Sequence, residues 1–220
     1  MIRKKLLIYT AGAGSREILL LVNQINLKSP EWDVIGFVDE DPEKNGTTVD
    51  GYPVFGVDNN EKGNDVYGIC GVLDAKVRQR FITEEIEGKG LKCATLIHPD
   101  ITIPGDFEIG SGSIIMPSCI ISYDVKIGKG VYVLWGAALG HGLRVGNYST
   151  ILTFACITGG CAVGSRTTIG AGAILNVGVN VGDDCIIGVG TTIIQNVKNR
   201  KRVMALPRMI ESEVEYKSNP

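Results

Sequence analysis

The fold is decided by the run LGHGLRVGNYSTILTFACITGGCAVGSRTTIGAGAIL, residues 139–175, in which every sixth position is aliphatic: Leu139, Val145, Ile151, Ile157, Val163, Ile169 and Leu175. The period continues without a slip back through Val133, Ile127, Ile121, Ile115, Ile109 and Ile103 to Ile97, and forward through Val181 and Ile187 to Ile193. Six residues match neither the 3.6 of an amphipathic helix nor the 2 of an alternating strand, so the unit is a repeating supersecondary element. Hexapeptide repeats of this kind build a parallel β-helix.

Glycine often follows the aliphatic residue, as at Gly110, Gly128, Gly140, Gly146, Gly164, Gly170, Gly182 and Gly188. Such a position needs either a conformation or a space that a side chain forbids. Two residues before the aliphatic comes a second set that is often small, including Ser113, Cys119, Ala137, Ser149, Ala155, Cys161, Thr167, Ala173, Cys185 and Thr191. Two residues apart, both sets face the same side of a short strand and fill a narrow interior. Three hexads close one triangular coil, and coils stacked about 4.8 Å apart give a prism on the order of 25 Å long. Since no insertion interrupts residues 97–193, a reactive group must lie on the prism's own faces and corners or be completed by another chain. The last coil exposes strand edges, which residues 194–220 are available to cap.

The 220-residue chain carries a net charge of −2, which argues against nucleic-acid or membrane-surface binding. No stretch is long and apolar enough to span a bilayer. Cys119, Cys161 and Cys185 occupy the small inward position and no CxxC pair occurs, so the six cysteines read as packed, reduced thiols of a cytoplasmic protein. The opening MIRKKLLIYTAGAG has basic residues before an apolar run, but Arg16 and Glu17 interrupt it early. A strand followed by a glycine turn explains it better than a leader.

The pattern breaks near residue 96, which predicts two units: an α/β domain over residues 1–95 and the β-helix over 96–197, with 198–220 as a terminal cap. Lys5 to Tyr9 reads as a buried strand, TAGAGS as a tight turn, and Arg16 to Asn26 as a helix with apolar Ile18, Leu19, Leu21, Val22 and Ile25. Strand, glycine turn and helix form a phosphate-binding layout in which Gly12, Ala13, Gly14, Ser15 and Arg16 present backbone N–H groups at the positive end of the helix. A second strand, Val34 to Val38, ends in Asp39, Glu40 and Asp41. An acid there accepts hydrogen bonds from a ribose hydroxyl in dinucleotide-binding units, so Asp39 and Asp41 are candidate ligands. The glycines fall short of GxGxxG, which favours a single nucleotide or a nucleotide sugar, and the plainer alternative is that they only turn the chain. Val66 to Val72 is a third strand, Asp74 caps a helix running to about Glu87, and Lys92 to Ile97 leads into the prism. With no flexible linker between the two units, a cleft between them is the expected substrate site.

Several segments together resemble the left-handed β-helix acetyltransferases of the sialic acid O-acetyltransferase and nucleotide-amino-sugar N-acetyltransferase family, the NeuD/PglD-like group. They are TAGAGSRE (10–17), GFVDEDPEKNGTTVDGYPVFG (36–56), ATLIHPD (94–100), the hexads, and LGHGLRVGNYS (139–149). The resemblance implies a Rossmann-like domain that binds the nucleotide sugar, a homotrimer, and acetyl-CoA along the groove between neighbouring prisms, with no metal. It places the family's catalytic base at His141, which takes a proton from the sugar amine or hydroxyl as that atom attacks the thioester. It also assigns Thr150 and Gly159 to the CoA site. Imidazole, with an ordinary pKa of about 6.5, suits proton acceptance near neutral pH. Beyond the last hexad Lys198, Arg200, Lys201 and Arg202 offer cations for the CoA phosphates, or else a solvated end of the prism.

The chain departs from the family at several positions. Gly142 stands where the family has Glu or Asp after the histidine, Thr150 where it has a second histidine, and Gly14 where the first turn carries an aromatic residue or histidine. The C-terminal segment reads ALPRM at 205–209. The second histidine, His98, precedes Pro99 at the entry to the prism and reads as structural. The main expectation is an acetyl-CoA-dependent acetyltransferase acting on a nucleotide-activated sugar or a sialic acid derivative. A catalytically weak or inactive sugar-nucleotide-binding partner subunit is the alternative that Gly142 and Thr150 suggest. A γ-class carbonic anhydrase shares the prism but needs a cluster of histidines that two cannot supply.

Overall fold

The computed structural model describes residues 3–58 and 65–205. The chain opens with β1 (Lys4–Tyr9), α1 (Ala13–Lys28) and β2 (Trp32–Asp39), continues through a hairpin of β3 (Thr48–Val49) and β4 (Tyr52–Gly56), and then forms β5 (Val66–Cys70), α2 (Ala75–Arg80) and β6 (Lys92–Cys93). These strands make one sheet in the order β3-β4-β2-β1-β5-β6, parallel except where β3 meets β4. Every apolar residue expected on the first helix is buried: Ile18, Leu19, Leu21, Val22 and Ile25. Asp74 caps α2 by accepting from the N–H groups of Lys76 (2.9 Å) and Val77 (3.0 Å). The helix then widens into a π turn over Phe81–Ile86 and tightens over Glu87–Lys89, stopping at Gly90 in the left-handed conformation. The hairpin is an element the periodicity missed. Its signal was the dipeptide Asp50-Gly51, both residues with positive φ, as a two-residue turn between strands requires.

The hexads form a three-sided prism of parallel two-residue strands. One sheet stacks Leu96–Ile97, Ile114–Ile115, Tyr132–Val133, Thr150–Ile151, Thr168–Ile169, Ile186–Ile187 and Arg202–Val203. A second holds Glu108–Ile109, Lys126–Ile127, Arg144–Val145, Ala162–Val163 and Asn180–Val181, and a third Ile120–Ile121, Ala138–Leu139, Cys156–Ile157, Ile174–Leu175 and Thr192–Ile193. Along the repeat each residue lies beside the one 18 positions on, as in the pairing of Ile120 with Ala138 and of Ala138 with Cys156. The aliphatic set and the small set together form the interior. The small polar residues there are satisfied by the next coil: Ser113, Ser149 and Thr167 donate to the carbonyls of Gly128, Gly164 and Gly182 at 2.9, 2.6 and 2.7 Å. The thiols of Cys119, Cys161 and Cys185 reach the carbonyls of Leu134, Asn176 and Lys198 in the same way. Burial pushes the Cys119 thiol up to about 11, which leaves it protonated and unreactive.

Two requirements divide the glycines of the repeat. Directly after the aliphatic residue the need is space: a Cβ on Gly170 would stand 2.5 Å from the backbone carbon of Gly188 in the next coil. Two residues later the need is conformation, because each corner there turns through positive φ, as Gly172 does in open space. Both ends of the prism depart from the sequence period. Ile103 keeps the period but lies outside any strand and is 44% exposed, because residues 98–107 turn around Pro99 and Pro104 and cannot pair. At the other end, the residues expected to cap the prism up to Ala205 form a shortened last coil, Arg202–Val203 pairing with Ile186–Ile187 at a step of 16.

The α/β domain packs on the first sheet of the prism. Ile18, Leu21 and Ile69 share a core with Leu96, Ile114, Met116, Tyr132 and Leu134. Arg78 locks the contact. Its fully buried guanidinium donates to the carbonyls of Gly130 (2.7 Å), Tyr148 (2.6 Å) and Ser149 (3.0 Å) and to Thr150 Oγ1 (2.9 Å) on the prism, and to the carbonyls of Val72 and Leu73 on its own domain. Burial lowers its pKa to about 10, still charged at neutral pH. The centre of the contact is a filled core, and the expected cleft between the domains is confined to its rim, where Asp74, Ala75 and Lys76 face Arg166, Thr168, Asp184 and Ile186 across a cavity of about 270 Å³.

Two stability experiments test this account. Arg78→Met leaves the carbonyls of Gly130, Tyr148 and Val72 without a donor among the described residues and should cost about 3–5 kcal/mol in thermal unfolding. Gly170→Ala should cost about 1–3 kcal/mol by forcing two coils apart, whereas Gly172→Asn, at a position Asn tolerates, should cost less than about 1 kcal/mol.

Candidate functional site

His141 sits on the corner between the second and third sheets, opposite the sheet that the α/β domain covers. Corner residues of successive coils stack, and the column containing His141 runs Tyr123, His141, Gly159, Val177. The imidazole lies parallel to the ring of Tyr123, with centroids 5.3 Å apart and planes 13° apart. On its other side is the bare backbone of Gly159, where a Cβ would collide with Cε1, Nε2 and Nδ1 of the histidine. The ladder continues beneath: Gly142 N–H donates to the Tyr123 carbonyl (3.1 Å) and Gly160 N–H to the His141 carbonyl (2.8 Å). His141 is exposed, and among the described residues no group hydrogen-bonds its imidazole.

Gly142 has a conformational reason to be glycine, since it occupies the corner position with φ +67. Asp124 and Asp184 hold equivalent positions at φ 53 and 55, so the geometry also admits aspartate there. Asp124 lies one coil before Gly142, but Arg144 Nη2 holds both its carboxylate oxygens at 2.9 Å. Beyond Arg144 the second sheet carries a shallow groove of about 420 Å³, floored by Gly128, Gly146 and Gly164 and edged by Lys126 and Arg144. The third sheet, on the other side of the corner, is apolar where it faces outward: Ile120 is 67% and Ile174 43% exposed, with Ala138 and Cys156 between them.

Thr150 lies elsewhere. It is fully buried under the α/β domain, where its hydroxyl accepts from Arg78 and donates to the Leu73 carbonyl at 2.9 Å. Its place in the aligned motif puts it on the first sheet, one corner away from the His141 column.

At the start of α1, Gly12, Ala13, Arg16 and Asp50 line a pocket of about 460 Å³. The amides of Ser15 and Arg16 are taken by the Gly12 carbonyl, which leaves those of Ala13 and Gly14 without a partner among the described residues. Gly14 is a packing glycine, its Cβ position only 2.8 Å from the Gly71 carbonyl oxygen. Ser15 is buried, with its hydroxyl 2.6 Å from that of Thr10. Arg16 makes a two-point ion pair with Asp50 on the hairpin (2.7 and 2.8 Å). The Asp39 carboxylate is buried, which would raise its pKa, but the N–H groups of Asp41 (2.9 Å) and Ala11 (2.7 Å) and the ammonium of Lys44 (3.0 Å) outweigh that and hold it below the usual range. Asp39 thus ties the end of β2 to the glycine turn. Asp41 stands at the surface and accepts from Glu43 N–H (3.0 Å).

The basic run forms part of the last coil. Arg200 and Lys201 share a pocket of about 420 Å³ with Lys76, Arg202, Asp184 and Ile186, and Lys198 is exposed beside them. ALPRM falls beyond the described residues after Ala205. The sequence-derived candidates therefore occupy three places on one chain: His141 with Gly159 on the open corner, Gly12 to Arg16 with Asp39 and Asp41 on the α/β domain, and the cations at the far end. Tyr123 was missed. Its signal was present, since it holds the hexad position of His141 one coil earlier.

Residues 5–84 match the family of PglD N-terminal domains. No curated protein matches the chain by sequence. Among solved structures, a point mutant of perosamine N-acetyltransferase from Caulobacter crescentus in complex with CoA and GDP-perosamine superposes with a TM-score of 0.81 at 22% identity, covering 95% of this chain and 97% of that one. The acetyltransferase domain of PglB from Neisseria gonorrhoeae FA1090 with acetyl coenzyme A gives 0.81 at 24% identity, over 93% and 97%. WeeI from Acinetobacter baumannii AYE gives 0.81 at 22%, over 91% and 96%. The match to the PglD N-terminal domain family thus extends over residues 5–84, and over more than nine-tenths of its length the chain shares the fold of these solved proteins.

Proposed function

We propose that the protein transfers an acetyl group from acetyl-CoA to an amino or hydroxyl group of a nucleotide-activated sugar or a sialic acid derivative, with His141 as general base. The observation that carries this reading is the exposed imidazole, gripped on both faces by its neighbours in the coil stack yet without a hydrogen-bond partner among the described residues. The fold it shares with proteins solved bound to CoA, acetyl coenzyme A or GDP-perosamine supports the choice of reaction. His141 takes the proton from the sugar N–H or O–H as that atom attacks the thioester carbonyl. The tetrahedral intermediate then collapses, the C–S bond breaks, and the imidazolium returns its proton to the departing CoA sulfur.

A homotrimer fits the placement of the parts. The α/β domain covers the sheet opposite the His141 corner, so the nucleotide turn of the same chain faces away from it. A neighbouring copy packed on the apolar third sheet would wall the groove beside His141 with a second prism. In that arrangement Lys126 and Arg144 flank the acyl donor, and Lys198, Arg200 and Lys201 lie where its phosphates need cations. The pocket lined by Gly12, Ala13 and Arg16 takes the nucleotide, with the free amides of Ala13 and Gly14 toward phosphate. The six unpaired cysteines fit a reducing cytoplasm. The second reading, a sugar-nucleotide-binding partner without turnover, is favoured only by the absence of an acid beside His141.

Two measurements decide between them, and a third tests the trimer. With acetyl-CoA and a panel of UDP-, GDP-, dTDP- and CMP-linked sugars, the protein should release CoA, and His141→Ala should lower the rate by roughly 10²–10⁴-fold. Release no faster than that of the variant would sink the enzyme reading, and stabilisation by a nucleotide sugar but not by CoA would favour the binder. Ile120→Glu with Ile174→Glu should turn a trimer into monomers by light scattering, with loss of activity and little change in far-ultraviolet circular dichroism.

A further inference from the structure

General bases of the imidazole type are held in line, and their charged form stabilised, by a neighbouring carboxylate in many enzymes. His141 has none: the next residue is Gly142, and the nearest corner carboxylate, Asp124, is occupied by Arg144. What does hold the ring is the coil stack. Tyr123 and His141 are 18 residues apart, so backbone pairing sets their spacing, which is close to that of two stacked rings. Gly159, another 18 on, leaves the ring's second face flush against backbone. The imidazole is therefore clamped between an aromatic face and a bare coil, and among the described residues neither nitrogen has a hydrogen-bond partner. Tyr123 is itself 62% exposed and makes no other ring contact among the described residues.

We propose that Tyr123 is the positioning residue for His141, orienting the imidazole by stacking and stabilising the imidazolium through its π face in place of a carboxylate. The face of an aromatic ring attracts a cation whether the cation is a ligand or a protonated side chain. The arrangement suits a base that must pick up a proton from the substrate and give it up to sulfur within one turnover. A stacked ring favours the charged form without forming a hydrogen bond that would fix a tautomer. Gly159 is the complementary requirement, because any side chain there would evict the imidazole. This inference rests on the role of His141 proposed above.

The test combines turnover with a readout of the stack itself. Tyr123→Leu should lower kcat about tenfold while leaving the KM for acetyl-CoA within about twofold, since the ring acts on the base and not on the donor. Tyr123→Phe should recover most of that loss. In proton NMR, where His98 supplies the only other imidazole signals, the ring protons of His141 should move downfield in Tyr123→Leu as the aromatic ring current disappears, and stay near their original positions in Tyr123→Phe. Adding Gly142→Asp to Tyr123→Leu places a carboxylate beside the ring at a corner that accepts aspartate, and should restore part of kcat. Full turnover by Tyr123→Leu, a Phe variant as impaired as Leu, or unmoved His141 signals would overturn the proposal. A fully active His141→Ala would remove the general-base reading beneath it, whereas an inactive His141→Ala beside a fully active Tyr123→Leu would reject the role of Tyr123 alone.

Discussion

Everything in this molecule hangs on the hydrogen bond from one coil to the next. Ile120 donates to Ala137, Ala138 to Ala155, Cys156 to Ala173 and Ile174 to Thr191, all at 2.8–3.0 Å. Because the step is 18 residues, every position acquires a fixed neighbour above and below. The prism is thus a set of columns, and chemistry becomes a matter of what shares a column. The glycines after the aliphatic residues keep the coils at bonding distance, and the inward hydroxyls and thiols repeat one bond to the coil ahead. Tyr123, His141 and Gly159 share one column of the same geometry.

The second constraint is Arg78. A guanidinium stripped of water needs nearly all its donors matched, and here five carbonyls and the Thr150 hydroxyl match them. That network welds the α/β domain to one sheet and commits Thr150 to structure. It also decides the placement of the site. With one sheet covered, the open corner lies between the other two, one charged and glycine-floored, the other apolar. The glycine turn of the α/β domain and the histidine end up in different places on the same chain.

How far the sequence reaches differs between the two domains. The hexad period located each strand from Glu108–Ile109 to Thr192–Ile193, because aliphatic burial at a fixed step leaves no competing register. It failed at Ile103, where two prolines veto pairing that hydrophobicity alone would permit. In the α/β domain the buried face of α1 and the Asp74 cap were legible, being local. The roles of Gly14, Ser15 and Asp39 were not, since the same residues that suggest phosphate binding are engaged in closing the turn against β2 and β5. Gly142, read only as a missing acid, also answers a backbone requirement for positive φ.

The sequence by itself determined the prism, its 18-residue step and the position of His141 within a hexad, because those follow from periodic burial along the chain. The tertiary structure decided which sheet is covered, that Thr150 belongs to the domain contact and that Tyr123 faces His141. Those facts depend on which side chains meet across coils and domains, where a single buried guanidinium and the absence of a Cβ at Gly159 select one arrangement that no one-dimensional pattern records.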